Sequence, residues 1–515
     1  MTSVVTSDET PSGKARSSRR LIAVLMGGAL LSKILGFARE LLMAQVLGAS
    51  LVADGFRGGL TAVLLPLVFL QNESVPAILI PTQRDAQIRG DGPQRLAALT
   101  IALTLVATLL MLAVQAAGPW WVDAVVGGFV PEGRALTLDF VRIMALGMPA
   151  SVALNCLAAG EIALGISRLT NLRAALLNLC IMIGLVLLVV THRVDVLAWA
   201  FTIAFNGLAG WGLWALWREG RFSLAGARPA LVLAAGLDFL HRLRPLLALP
   251  FGEQLNVWVE RLLASRIATG TVASLDYART LTDSALLLVS QPVGLGVLSS
   301  HPATDERARV EAIAAPVLAL ALPASIYLVV FAPDIVRLVF FRGAFTEHGV
   351  LLTSQALRGI AVGLWASTLG WILLRMLNST GRNARVAIIV VTAYAANIAV
   401  NLATSGLQQS ADVGPLLLGL GEALRSLVLL GGTIVAFDCR RRLAGLVLIA
   451  CGPAAVMAGL GWLIHEEING MLLRLFIGGI VCLATIALAA AVLMPATCRA
   501  VFARIRNRWP TTRRR

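Results

Sequence analysis

Apolar runs of about twenty residues or more, separated by short polar loops, recur along nearly the whole chain. Crossing the hydrocarbon core of a bilayer takes roughly 20 predominantly apolar residues, so each run is long enough to be a membrane span. Candidate spans cover residues 21–47, 55–81, 96–117, 136–164, 170–191, 196–217, 243–266, 273–298, 312–333, 350–377, 384–405, 414–437, 443–464 and 470–494. The chain is 58% hydrophobic and only 14% charged, with mean hydropathy +0.82. A water-soluble domain carries about 25% charged residues, because its surface must face water. The charge here is too sparse for that, and no stretch is long or polar enough to form a separate soluble domain. The expectation is an all-α polytopic membrane protein with about 14 transmembrane helices.

The net charge of +15 and pI near 11.0 raise the question of a nucleic-acid partner. The placement of the arginines argues against one. They fall in the N-terminal tail and in alternate loops, at Arg84/Arg89/Arg95, Arg168/Arg173, Arg218/Arg221/Arg228, Arg307/Arg309, Arg382/Arg385 and Arg440–Arg442, and in the tail from Arg499 to Arg515. The other loops hold little beyond Arg134, Arg193, Arg337 and Arg342, together with Asp123, Glu132, Asp412, Glu466 and Glu467. This is the positive-inside pattern, which puts both ends in the cytoplasm and requires an even number of spans. Lys14, Arg16, Arg19 and Arg20 precede the first run, which is too long for a signal peptide and shows no small-residue cleavage pattern. Trp120, Trp121, Trp217 and Trp462 near span ends suit interfacial anchors or packing inside the bundle. Six cysteines without C-x-x-C spacing and five scattered histidines offer no metal framework, and no cofactor is expected.

An internal repeat divides the chain. Arg39, Gly48, Asp54 and Arg57 recur as Arg261, Gly270, Asp276 and Arg279 at one interval (261 − 39 = 222), and Leu41 matches Leu263. Six spans separate the copies, and an even number keeps both halves in the same orientation. That is the layout of a parallel-repeat transporter, with substrate bound between the halves.

Charges within the apolar runs cost about 2.5–3.5 kcal/mol each on insertion scales, so they tend to face a bundle interior or an aqueous cavity. Arg375 lies near a span end and suits snorkelling, whereas Glu422 and Arg425 stand three apart on one helix face and suit each other. Glu260 and Arg261 are neighbours that cannot face the same way, so at least one needs another partner. Asn256, Asn397 and Asn401 suit hydrogen bonding between helices better than cation coordination. Lys33, Arg39, Arg57 and Arg279, with Arg261 as the repeat counterpart of Arg39, read as cations at a central cavity. An unpaired cluster would repel itself when empty, so an anion such as phosphate is the expected ligand. No nucleophile–base–acid arrangement and no Gly-rich loop followed by Lys-Ser/Thr is present, so neither an enzyme nor an ATPase motor is expected.

The segment Leu31-Ser32-Lys33-Ile34-Leu35-Gly36-Phe37-Ala38-Arg39-Glu40, with Gly48-Ala49 and Ala53-Asp54-Gly55-Phe56, resembles the opening of the MurJ/MviN family of lipid II flippases. Leu176-Leu177-Asn178 to Gly184, Phe341-Arg342-Gly343-Ala344-Phe345-Thr346, and Arg375 to Arg385 are similar as well. The family belongs to the multidrug/oligosaccharidyl-lipid/polysaccharide exporter superfamily. The resemblance implies two pseudo-symmetric six-helix lobes in a V, plus two C-terminal helices. On that plan residues 1–20 are a cytoplasmic tail, 21–228 the first lobe, 229–440 the second, 441–496 the terminal pair and 497–515 a basic tail. It further implies the bacterial inner membrane, and alternating access that moves a polyprenyl-pyrophosphate-linked saccharide to the outer leaflet. Membrane lipids surround such a protein, and cell-wall synthesis proteins are candidate partners. The family's first-helix cations carry over to Lys33 and Arg39, and its acidic residue at the start of the second helix to Asp54. The candidate substrate-binding set is therefore Lys33, Arg39, Asp54, Arg57, Arg261 and Arg279. Leu67, Val68 and Asn72 stand where the family usually carries an arginine pair and a following acid, with Glu73 adjacent. The usual arginine of the eighth helix falls at Thr280, beside Arg279. Two alternatives stay open, namely a flippase for an exopolysaccharide or oligosaccharide carrier and a non-transporting scaffold for envelope synthesis.

Overall fold

The structure is a computed structural model that describes residues 31–72, 74–225, 227–299, 306–496 and 499. Lys14, Arg16, Arg19, Arg20, the start of the first expected span, Glu73 and the basic tail beyond Arg499 lie outside the described residues. Every regular element among the described residues is a helix.

The chain forms two compact units. The first comprises residues up to Val46 and Gly55–Gln254. Its helices are α1 (31–47), α2 (Leu51–Leu64), α3 (Val68–Gln71), α4 (Ser74–Arg89), α5 (Gly92–Ala116), α6 (Gly118–Val126), α7 (Pro131–Ala145), α8 (Met148–Ala163), α9 (Arg168–Thr191), α10 (Val196–Arg218) and α11 (Pro229–Leu243). The second comprises Leu47–Asp54 and the chain from Leu255. It holds most of α12 (Ala248–Ala264), then α13 (Thr271–Ser299), α14 (Glu306–Val330), α15 (Ala332–Phe340), α16 (Glu347–Val362), α17 (Leu364–Ser379), α18 (Asn383–Ala403), α19 (Gly414–Ala436), α20 (Arg440–Glu467) and α21 (Met471–Leu493).

Nine helical runs among the described residues are long and apolar enough to cross a membrane, or up to 11 when α7 with α8 and α16 with α17 each count as one bent span. The remaining expected spans correspond to α1, α12 and α13. α12 is only 17 residues long and α13 carries charge along its first half, at Asp276, Arg279 and Asp283. These three helices carry Arg39, Arg261 and Arg279, whereas Arg57 lies on the apolar run from Leu51 to Arg89.

In the first unit α8 is central and packs on α4, α5 and α10, while Phe56 of α2 meets Phe140 of α7 edge to face at 5.9 Å. Pro66, which has no N–H to donate, interrupts the second span in a 3-10 turn over Leu65–Leu67. Helix α11 lies on α4 and α5, burying Ala235 and Phe239 and pairing Asp238 with Arg95 at 3.0 Å. The expected plan put α11 in the second lobe; its apolar stripe finds its cover on the first unit instead.

In the second unit α19 is central and packs on α16, α17 and α18. Small residues allow this approach, as is common between membrane helices. A Cβ on Gly359 would stand 2.4 Å from the Leu416 carbonyl oxygen, and one on Gly363, at the 49° bend, 2.4 Å from the Ala423 Cα. α14, α20 and α21 form a further cluster around Phe331, Met457 and Leu475. Trp120, Trp217 and Trp462 are exposed near helix ends, whereas Trp121 is half-buried and donates its indole N–H to the Ala62 carbonyl at 2.9 Å.

Candidate functional site

In the first unit, Arg39 and Glu40 are neighbours on α1, and Arg57 comes from α2. Glu40 and Arg57 are 4% and 6% exposed, deep enough that their charges need partners. The Glu40 carboxylate accepts from Arg39 with one oxygen and from Arg57 with the other, each at 2.5 Å. Arg39 also donates to Asn178 Oδ1 at 3.0 Å, and the Asn178 amide donates to the Ser32 carbonyl at 3.2 Å. α9 thus steadies the arginine through an amide that also grips the backbone of α1. Lys33, two turns earlier on α1, is exposed.

In the second unit, Arg261 of α12 donates to Asp276 of α13 at 2.5 Å and to the Val272 carbonyl at 3.1 Å. Arg279 of α13 pairs with Glu260 of α12 at 2.5 Å and with Glu422 of α19 at 3.0 Å, with Asp276 a further 3.7 Å contact. Glu422 accepts in turn from Arg425 at 2.8 Å, and the Arg425 guanidinium lies over the Tyr394 ring at 5.5 Å. Glu260 and Arg261 do find separate partners, and Glu422 and Arg425 do pair with each other. Beside this cluster the Asn397 amide donates to Asn256 Oδ1 at 2.8 Å and Asn401 donates to Asn397 at 2.9 Å. These asparagines tie α12 to α18.

The expectation of unpaired arginines is therefore corrected. Arg39, Arg57, Arg261 and Arg279 each meet a carboxylate, because guanidinium in a low-dielectric interior is tolerable only with a counter-charge. The acids Glu40, Glu260 and Glu422 sit among the apolar-run charges in the sequence, but nothing there shows which arginine each one serves. Arg173 of α9, read from sequence as a loop cation, is half-buried and donates to Asn155 Oδ1 at 3.1 Å. The Asn155 amide donates to the Leu70 carbonyl at 3.3 Å, so a guanidinium reaches the interruption of the second span through Asn155.

Asp54 has a different job. It is fully buried, packs with the second unit, and accepts from the backbone N–H of Gly270 at 2.6 Å and of Ala273 at 2.8 Å. It thereby satisfies orphan donors at the start of α13, where a negative charge also suits the helix dipole. The surrounding segment, 47–54, is closely held. Gly48 has φ +62° and a Cβ there would stand 2.3 Å from the Ala344 carbonyl oxygen; Gly270 has φ +93° and would meet the Ala49 oxygen at 2.4 Å. Tyr277 donates its hydroxyl to the Gly48 carbonyl at 3.0 Å, and its ring meets Phe340 at a tilt and Phe345 edge on, with centroids 5.2 and 5.6 Å away. The motif from Phe341 to Thr346 thus closes over this segment.

A sequence profile of the family described as Lipid II flippase MurJ matches residues 43–477. The chain belongs to the MurJ family of lipid II flippases. The Lipid II flippase MurJ of Burkholderia cenocepacia is 26% identical over 378 residues, covering 70% of this chain and 72% of that one. The Probable lipid II flippase MurJ of Rhizobium tropici is 28% identical over 382 residues, covering 67% and 68%. A solved Lipid II flippase MurJ in an inward closed conformation superposes with TM-score 0.77 at 16% identity, covering 92% of this chain and all of that one. An inward-facing multidrug resistance MATE family transporter of the MOP superfamily gives TM-score 0.59 at 14% identity, over 80% and 95% of the two chains. The MurJ fold, with its many apolar spans, is therefore the fold of this protein. Where the MurJ pattern carries the arginine pair of the second helix, this chain has Leu67, fully buried, and Val68.

Proposed function

We propose that this chain translocates lipid II across the cytoplasmic membrane of a bacterium by alternating access, leaving the covalent bonds of its cargo intact. Membership of the MurJ family over residues 43–477 is the observation that carries this reading. Buried arginine–carboxylate clusters on α1, α2, α12, α13 and α19 support it, because a pyrophosphate is the kind of group that competes for guanidinium. In this reading Arg39, Arg57, Arg261 and Arg279 exchange carboxylate oxygens for pyrophosphate oxygens as the cargo enters. Lys33 supplies an exposed charge on the approach, and Asp54 holds the start of α13 in register. The positive-inside bias supports cytoplasmic placement of both termini. Cell-wall synthesis proteins are the natural partners, since they make and consume the cargo, and no role for nucleic acid is proposed.

Depletion of the protein, followed by labelling of lipid-linked precursors with a membrane-impermeant reagent, tests the reading. Lipid II inaccessible from outside after depletion is the expected result. An unchanged distribution with normal wall synthesis would sink it. At the residue level, Arg39→Gln should abolish complementation at normal membrane abundance, and full complementation would remove Arg39 from the site.

A further inference from the structure

At the end of α10, an apolar cavity and a cluster of cations lie side by side, apart from the arginine clusters. The helix ends at Arg218, and Gly220, at φ +66°, turns the chain back so that the N–H groups of Arg221 and Phe222 donate to the Leu216 carbonyl at 2.8 and 3.2 Å. This left-handed closure satisfies a carbonyl that the helix end leaves open and turns Phe222 inward. The Ser223 N–H donates to the Pro93 carbonyl at 3.2 Å, anchoring the turn at the start of α5. Between this turn and the last turns of α10 lies a cavity of about 330 Å³, lined by Gly210, Leu213, Trp214, Trp217, Phe222 and Leu224. Ligand pockets span about 300–1,000 Å³. Gly210 helps to make the space, since nothing lies within 4 Å of where its Cβ would be. A glycine inside a helix costs up to about 1 kcal/mol relative to alanine, so the opening is retained against local propensity.

The rim is cationic. The Arg218 guanidinium lies over the Trp214 ring, 5.4 Å from its centroid, and makes no ion pair among the described residues. Arg221 shares Glu219 with Arg168, at 3.3 and 2.7 Å. The hydrogen bond from Arg168 holds the Glu219 carboxyl below the usual carboxylate range, so it is anionic at neutral pH and already engaged by two arginines. Arg228 is exposed a few residues on. The helix, 23 residues long, rises roughly 35 Å, against about 30 Å of hydrocarbon. Arg218 therefore stands at headgroup level, and the cavity extends about 12 Å below it toward the apolar layer.

The geometry points to a binding site for an anionic phospholipid, with an acyl chain between Trp214, Trp217 and Leu224 and the phosphate on Arg218. A free phosphate would leave the apolar cavity empty, and a zwitterionic lipid brings an ammonium that opposes the rim. This site does not depend on which cargo the protein carries.

The test reconstitutes the full-length protein in an equal mixture of phosphatidylglycerol and phosphatidylcholine, extracts it in mild detergent and quantifies the retained lipid by mass spectrometry. Phosphatidylglycerol should be enriched about fivefold, the preference expected of one arginine near an anionic headgroup. Arg218→Gln should bring the ratio back to the input, and Arg218→Lys should keep most of the enrichment. Gly210→Leu, which fills the cavity, should lower retention of both lipids, and Trp217→Phe should reduce quenching of tryptophan fluorescence by bromoacyl phosphatidylglycerol. Arg218 is exposed at a helix end, so its variants test binding without a folding defect. Equal retention of the two lipids, enrichment indifferent to both Arg218→Gln and Gly210→Leu, or displacement of the lipid by inorganic phosphate would each overturn the site.

Discussion

The arginines of the first half, Arg39 and Arg57, and those of the second, Arg261 and Arg279, stand at one interval in the sequence but are neutralised differently. In the first half one carboxylate, Glu40, serves both arginines, and it lies one position after Arg39. In the second half Glu260 lies one position before Arg261, and Glu260, Asp276 and Glu422 interleave with Arg261, Arg279 and Arg425. Asp54 and Asp276 are repeat counterparts, yet Asp54 caps the start of α13 while Asp276 pairs with arginines. The cations therefore keep their register, whereas the acids that hold them do not.

The largest expected effect tests this asymmetry. Glu40→Gln removes the carboxylate that the half-buried Arg39 and the buried Arg57 share, and breaking a buried pair costs about 3–5 kcal/mol. It should abolish complementation and sharply lower the unfolding temperature in detergent. Glu260→Gln leaves Arg279 with Glu422, so its cost should be nearer 1.5–3 kcal/mol, the worth of about one hydrogen bond to a charged group. Equal losses in the two variants would erase the distinction between the halves.

A transplant sharpens it further. Ala38→Glu combined with Glu40→Ala copies the order of the second half, acid before arginine, onto α1. Two positions on a helix turn a side chain by about 200°, so the moved carboxylate should point away from Arg57. The double variant should melt like Glu40→Ala alone, and recovery to wild-type stability would show that the acid's position is not what matters.

Next comes the cap. Asp54→Ala should cost about 1–2 kcal/mol and speed hydrogen exchange at the first amides of α13, whereas Asp54→Asn should keep part of the protection. Slowed or unchanged exchange in the alanine variant would mean that the cap contributes nothing. The smallest effect is at the edge of the second cluster. Arg425→Gln gives up an i,i+3 pair and a cation–π contact, together about 0.5–1.5 kcal/mol, and should shift unfolding only slightly. A loss as large as that of Glu40→Gln would place Arg425 at the centre of its cluster.

Much of this arrangement is legible in the order of residues alone. The recurrence of apolar runs announces the spans, and the 222-residue spacing picks out Arg39, Arg57, Arg261 and Arg279 as related positions. The pairing of Glu422 with Arg425 follows from their i,i+3 spacing. The Glu260 and Arg261 pair is half legible: adjacency forbids a shared direction but does not say that Arg279 and Asp276 are the partners. Nothing local marks Asn178 as the support of Arg39, since the two are 139 residues apart and meet only when α9 packs on α1. Arg173 reads as a loop arginine by position, and only the packing of α9 against α8 brings it inside.

Residue type and spacing along the chain settle two things, the solvent and the register. Sparse charge requires lipid around the helices, and the repeat sets which arginines correspond. The partners are settled only by packing. A carboxylate can serve any arginine that folding brings within about 4 Å, so which acid holds which base depends on how the helices rotate and pack. The same holds for Asp54: its neighbours in sequence say only that it starts a helix, and it takes α13 to turn that carboxylate into a cap.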